Sequence, residues 1–460
     1  MLSRADNELL CRVGPGTPMG ELMRQYWIPC LPSSEFPEPD GEVKRMMLLG
    51  ERFVMFRDSA GKIGATAEAC PHRGASMYFG RNEECGLRCN YHGWKFDRSG
   101  TLVDCPTEQP GSRAEAHFKN TIRIRAYPCH EVNHLIWIYM GTRTTPPPFP
   151  EFEINMLPAA HVAPPSVMME EANWLQNIEG DLDSVHLDHV HRRLSEDAPS
   201  PPIGMPGFWN HDPNPPRLDV ERTEWGAFYT SMRTLPDGRD WHRMNNFVFP
   251  FHTTISVGPV AVLRSFVPLD DHHAMLIHQS ASVEGPITRE QGSVGPGEGN
   301  LLDEDSFASV GGYLPRTIDP RSYFMTVANK RNDYLRDRQL EQESVRLGIP
   351  FVMNLQDRAM TELMCAADGE PVYDRTQEHL GSSDQMVIAV RAQLLDAVKA
   401  RRDDGTVPPN VDDVSLDHVR SASLVYDPDV DWRTLSADAR CSDRGGPIAA
   451  EVPLILTAGT

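Results

Sequence analysis

Short apolar runs separated by polar turns dominate the first part of the chain. Arg45–Leu49 and Phe53–Phe56 flank Gly50–Arg52, which predicts a β-hairpin, and Asp58–Gly61 supplies the next turn. Thr121–Tyr127 alternates apolar and polar residues and predicts a half-buried strand. Ahead of these, Thr17 and Pro18 before Met19–Trp27 read as a helix N-cap with proline at the first helical position. Up to about residue 140 the pattern describes a small all-β domain behind one N-terminal helix.

Thr144–Pro150 is stiff, proline-rich and unable to join a sheet, so it divides the chain into units 1–145 and 146–460. In the second unit, helical patterns cover about 171–180, 331–346, 350–365 and 384–402. Strands are expected around Ala227–Met232, Phe247–Phe249, Ala261–Val267 and Ala274–Gln279. Ala198–Gly207 and Asp212–Pro216 predict a long irregular segment, and Glu284–Gly299 a loop. The last fifty or so residues are acidic and show no clear period. Together these describe an α+β fold.

Composition narrows the function classes. The 460 residues carry a formal net charge of −21 with a pI near 5.2, which argues against nucleic acid or an anionic membrane as partner. Leu135–Met140, the longest apolar strand candidate, is far too short to span a bilayer, and no apolar core follows the first residues as a signal peptide would require. Nine cysteines, an odd number scattered through a large chain, do not form a secreted disulfide framework. These features point to the cytoplasm.

Candidate chemistry sits in two places. The first is a pair of Cys/His loops, Cys70–Gly74 with Cys70 and His72, and Cys89–Trp94 with Cys89 and His92. Two thiolates and two imidazoles suit either a Cys₂His₂ zinc site or a [2Fe–2S] cluster with two histidines on one iron. A zinc finger uses a Cys–Cys pair and then a His–His pair. Here each pair is Cys then His, and each His is followed closely by glycine, which lets backbone N–H groups approach the sulfurs. The second place is Asp181–His191, with three histidines and three carboxylates in eleven residues. Imidazole with carboxylate holds Fe(II), Zn or Mn. Helical spacing leaves the ligand pair open: His186 and His189 share a face, whereas His186 and His191 stand more than roughly 90° apart on an ideal helix.

The Cys/His loops resemble the Rieske cluster-binding motif at all four ligand positions and at Pro71, Gly74, Gly93 and Trp94. The resemblance implies Cys70 and Cys89 on one iron and His72 and His92 on the other, with Cys85 a free thiol. Such a cluster moves single electrons and needs a destination. The second segment is similar to the mononuclear iron motif of Rieske non-haem iron oxygenases, an Asp, two residues, a His, four residues and a His. Asp183, His186 and His191 occupy those positions. This implies His186 and His191 as ligands, a bend that lets them meet, and His189 beside the site or facing solvent. Asp357 is the implied third ligand on a C-terminal helix, with Glu362 as second candidate. The resemblance further implies that Asp183 bridges His186 to His72 or His92 of a neighbouring subunit, which requires a closed ring, a homotrimer or stacked hexamer. Alternatively Asp183 only fixes the tautomer of His186.

Leu9–Trp27 and Tyr373–Asp384 look like the phthalate dioxygenase-like branch of the aromatic ring-hydroxylating alpha subunits. That resemblance implies an all-β Rieske domain before a catalytic domain whose antiparallel sheet is wrapped by helices, a helix-grip, START-like fold. It implies cis-dihydroxylation of an aromatic acid with O₂, and electrons from NAD(P)H through a flavin/[2Fe–2S] reductase. The alternatives are a monooxygenase or O-demethylase of an aryl ether, a Rieske electron carrier without oxygenase chemistry, and a structural zinc protein. A carboxylated substrate needs a cationic clamp, for which Arg192, Arg193, Arg217 and Arg243 are candidates, and Phe247, Phe249 and Phe251 are candidate apolar walls.

Overall fold

The computed structural model describes residues 2–194, 214–289, 311–350, 352–364 and 372–451, apart from 414, 417, 418, 429 and 442–447. The proline-rich segment 198–207 and most of the predicted loop at 284–299 lie outside the described residues.

Two helices open the chain, α1 (Arg4–Cys11) and α2 (Pro18–Met23). Thr17 caps α2 as its sequence predicts, its hydroxyl accepting from Gly20 N–H at 3.2 Å. The helix stops at Met23, short of the expected Trp27, because Trp27 is taken into a strand opposite Tyr139. Ten strands follow: β1 (Trp27–Pro32), β2 (Lys44–Leu48), β3 (Glu51–Arg57), β4 (Ile63–Ala67), β5 (Arg81–Glu83), β6 (Gly86–Arg88), β7 (Lys95–Asp97), β8 (Leu102–Asp104), β9 (Cys129–Val132) and β10 (Leu135–Tyr139). They pair antiparallel as β2-β3-β4, β5-β6-β7-β8 and β1-β10-β9. The predicted hairpin turns at Leu49 and Gly50, both at positive φ (49° and 72°), the combination that matches strand twist across a two-residue loop.

Residues 121–127 do not form the predicted strand. α3 (Arg113–Thr121) runs to Thr121, and beyond it the chain makes only isolated bridges, Arg123 with Thr101 and Ala126 with Thr66. The alternation reflects the inward turn of Ile122, Ile124 and Ala126 between exposed Thr121, Arg123 and Arg125 as the segment crosses from one sheet edge to another. It touches each edge too briefly to build a ladder.

After α4 (Glu153–Met156), nine strands form one large sheet: β11 (Ser166–Glu170), β12 (Arg217–Thr223), β13 (Gly226–Thr234), β14 (Asp240–Val248), β15 (His252–Thr254), β16 (Ala261–Pro268), β17 (Ala274–Ala281), β18 (Ala422–Tyr426) and β19 (Ala449–Glu451). The path runs β11-β17-β16-β15-β14-β13-β12, with β18 on β14 and β19 parallel to β18. The tail shows no period because β18 is buried on both faces, so no alternation marks it. Helices cover the sheet: α5 (Trp174–Leu182) packs on β14, β15 and β16, α6 (Arg338–Glu343) and α7 (Met353–Thr361) follow, and α8 (Gln385–Asp404) packs on β12, β13, α1 and α2. The helix expected over 331–346 is broken, since Asp333 and Tyr334 adopt positive φ (50° and 54°) and Tyr334 turns inward to donate to Glu362 at 2.7 Å. The short α9 (Trp432–Leu435) seals the far face of the sheet with Phe228, Met244, Leu424 and Tyr426.

The face under α5 is polar for a buried surface. Cross-strand pairing puts Tyr229 beside Asn245, Ser231 beside Arg243, and Thr253 beside Arg264, all buried. Buried polar groups are stable only with partners, so this face is built to meet polar groups on α5 and the turn after it.

Candidate functional site

The four cluster candidates sit on two loops, β4–β5 and β6–β7, that are near copies of each other. Gly74 N–H donates to Cys70 O and Gly93 N–H to Cys89 O, each at 2.8 Å. Both glycines hold positive φ (75° and 78°), which a side chain would resist. The two sulfurs are buried. Burial, with Cys89 beside it, pushes the Cys70 thiol up to about 11, against the pull of the His72 and Arg73 N–H groups. The His72 and His92 rings lie 4.5 Å apart, and His72 stacks on Trp94 at 4.5 Å. His72 Nδ1 is buried without a hydrogen bond. Two neighbouring buried thiols and an orphaned imidazole nitrogen beside a second histidine are a donor set for a cationic cluster, so the residues fit a [2Fe–2S] group. Cys85 is free and exposed on the β5–β6 turn.

The second site forms where α5 ends. Asp183 leaves the helix with extended backbone (φ −86°, ψ 128°), and His186–Asp188 make a single 3-10 turn. That break swings His191 back beside His186, with ring centroids 5.2 Å apart, and leaves His189 exposed. Asp357 comes from α7: its Oδ1 lies 2.8 Å from His191 Nε2 and 3.5 Å from His186 Nε2. One ligand atom from each of the three falls within 4.8 Å of the others. His191 is fully buried, and its Nε2 makes no hydrogen bond.

The electrostatics ask for a cation. Burial opposes ionisation of Asp357, yet His191 and His186 hold its carboxyl well below the usual carboxylate range. Burial likewise opposes charge on His186, but Asp183 and Asp357 push it up to about 10. A divalent metal in the middle replaces the proton that these groups otherwise share, so the three residues fit Fe(II).

Asp183 Oδ2 stands 3.5 Å from His186 Nδ1, and its Oδ1 accepts from Val185 N–H at 2.6 Å. Glu362, the second candidate ligand, is not at the site. Its buried carboxylate is taken by Arg358 Nε at 2.6 Å, Tyr334 and Glu171 N–H. Among the clamp candidates, Arg192 is exposed and Arg217 is exposed and paired with Asp240 at 2.6 Å. Arg193 pairs its backbone with Val345. Arg243 alone is buried next to the site, with Nη1 3.4 Å from Ser184 Oγ and Nε 3.4 Å from Ser256 O. Phe247, Phe249 and Phe251 all belong to the main core.

Two groups escaped sequence reasoning. Gln356, fully buried, faces His191 Nδ1 at 2.8 Å. Ser184 and Tyr229, 2.9 Å apart, join with Asn245 in a network beside Asp183. The only signal for Gln356 is a polar residue beside the candidate ligand Asp357, which says nothing about its partner.

Residues 26–128 match the Rieske [2Fe-2S] domain family, and residues 138–293 and 303–451 match the LigXa C-terminal domain-like family. The chain is 36% identical over 439 residues to the 3-chlorobenzoate-3,4-dioxygenase oxygenase subunit of Comamonas testosteroni, covering 93% of this chain and 96% of that protein. It is 30% identical to the phthalate 4,5-dioxygenase oxygenase subunit of Pseudomonas putida, covering 95% of each. In fold it is similar to dicamba monooxygenase bound to dicamba, with a TM-score of 0.52 at 16% identity over 83% of this chain and 98% of that one. The chain therefore belongs to the Rieske non-haem iron aromatic ring-hydroxylating oxygenases, as an alpha subunit of the phthalate dioxygenase-like branch, and is an oxidoreductase.

Proposed function

We propose that this alpha subunit is the terminal oxygenase for an aromatic acid. The observation that carries the reading is the convergence of His186, His191 and Asp357 in a chain that also presents paired Cys/His loops. Cys70, Cys89, His72 and His92 hold the [2Fe–2S] cluster, and His186, His191 and Asp357 hold Fe(II). When bound, the two groups together supply electron transfer and O₂ activation. Electrons reach the cluster from NAD(P)H through a flavin/[2Fe–2S] reductase.

The protein's own residues prepare this chemistry. Three protein ligands would leave coordination positions on a bound Fe(II) for O₂ beside the substrate. Asp183 faces His186 Nδ1 and keeps 31% of its side chain exposed, while His72 and His92 are half-buried, His92 beside exposed Tyr91. This supports a homotrimer or stacked hexamer in which Asp183 of one copy meets a cluster histidine of the next.

Arg243 supports a carboxylated substrate. It is buried and has no carboxylate partner among the described residues, and its guanidinium makes only long contacts to neutral oxygens beside Ser184. A substrate carboxylate would supply the missing counter-charge.

The test is O₂ uptake by the reductase-coupled protein with aromatic mono- and dicarboxylates, followed by product analysis under ¹⁸O₂. A cis-diol carrying both labelled atoms is expected. Formaldehyde from an aryl methyl ether would establish an O-demethylase instead, and protein without mononuclear iron would establish an electron carrier.

A further inference from the structure

We infer that Gln356 is a positioning residue of the iron site, which fixes His191 in the tautomer and orientation that present Nε2 to the metal. The inference rests on the proposed His186, His191 and Asp357 ligand set.

Gln356 is fully buried, so both ends of its amide need partners. Its Nε2 donates to the Ile349 carbonyl at 3.0 Å. A backbone carbonyl only accepts, so the flipped amide would set two oxygens against each other. The amide oxygen therefore faces His191 Nδ1, 2.8 Å away. An oxygen in that place makes Nδ1 the protonated nitrogen. With Nδ1 directed at the amide oxygen, Nε2 is the nitrogen left to face the site, and it stands 2.8 Å from Asp357 Oδ1.

The two histidines are thus held differently. His186 Nδ1 faces a partly exposed carboxylate, Asp183, at 3.5 Å, whereas His191 Nδ1 faces a buried neutral amide at 2.8 Å. Asp183 can answer a change of charge at His186, while Gln356 can only hold His191 still. Gln356 precedes Asp357 on α7, so one helix supplies a ligand and the hook that orients another. A second glutamine ties the helices together: Gln176 of α5, also fully buried, donates to Thr361 O at the end of α7 at 2.7 Å.

The experiment uses full-length, cluster-loaded protein stripped of mononuclear iron and titrated with Co(II), read by visible d–d bands and by chelator competition. Gln356→Met keeps the length and removes both hydrogen bonds. Gln356→Glu keeps an acceptor for His191 and loses the donor to Ile349. Gln356→Asn shortens the reach and replaces the Met variant if that one does not accumulate. Expected are Co(II) affinity lower by about 10–100-fold with altered bands in the Met or Asn variant, and wild-type-like bands with affinity within about threefold in the Glu variant. Wild-type affinity and bands in the Met or Asn variant would overturn the inference. So would equal weakening in Met and Glu, which would make Gln356 a structural plug at Ile349. His186→Ala separates the two levels: if it binds Co(II) as wild type does, the ligand set itself is wrong and this inference falls with it.

Discussion

Arg264 Nη1 closes a 2.5 Å ion pair on Asp181 Oδ1, with both side chains less than one-tenth exposed. The pair joins β16 to the last turn of α5, two residues before Asp183, and Thr253 donates to the same carboxylate. It pins the helix end at which the chain must unwind to bring His186 and His191 together.

Breaking this pair leaves the buried Asp181 charge with the Thr253 hydroxyl but without an ionic partner. Arg264→Met is expected to destabilise the catalytic unit by about 3–5 kcal/mol, visible as an earlier unfolding transition in denaturant. The double change Arg264→Met with Asp181→Leu removes both charges and should recover most of that loss. A single variant as stable as wild type would show that the pair does not hold α5.

Asp183 sits beside the proposed ligand His186 without belonging to the ligand set. Asp183→Asn should retain the cluster EPR signal and both metals by analysis, yet lose nearly all turnover, because coupling and not ligation is removed. Loss of mononuclear iron from that variant would reassign Asp183 as a ligand.

Arg243 offers a substrate-class prediction. Arg243→Gln should raise KM for an aromatic carboxylate by the equivalent of about 1.5–3 kcal/mol, the range for a hydrogen bond to a charged group, and leave KM for a neutral ester analogue unchanged. Equal losses on both substrates would mark Arg243 as structural.

Glu170 carries a pH dependence. It is buried at the end of β11, and burial raises its carboxyl to about 8 despite the nearby Arg358. The folded protein then holds a proton that the unfolded chain releases above about pH 4.5. Stability therefore falls as pH rises from about 4.5 to about 8 and levels off beyond, with a slope of at most about 1.4 kcal/mol per pH unit. Glu170→Gln should remove that slope from chemical denaturation measured across the range. An unchanged slope would assign it to another group.

The parts of this protein that are legible in the sequence are those in which chemistry and backbone lie close together. Cys70, His72 and Gly74, and Cys89, His92 and Gly93, occupy two short loops, so one short motif carries both the candidate ligands and the turns that aim them. The hairpin at Leu49 and Gly50 is local in the same way. Remote relationships were decided only by the tertiary structure. Helical periodicity left His189 and His191 open and the resemblance implied His191; the break after Leu182, where Asp181 is held by Arg264 and Ser184 meets Tyr229, is what brings His191 beside His186. Asp357, the ligand implied by resemblance, and Glu362, the second candidate, stand on neighbouring turns. Arg358 and Tyr334 occupy Glu362 and leave Asp357 to face the histidines. Gln356 had no sequence signal beyond its place next to Asp357, because a buried amide acquires its role from the partner that folding sets against it.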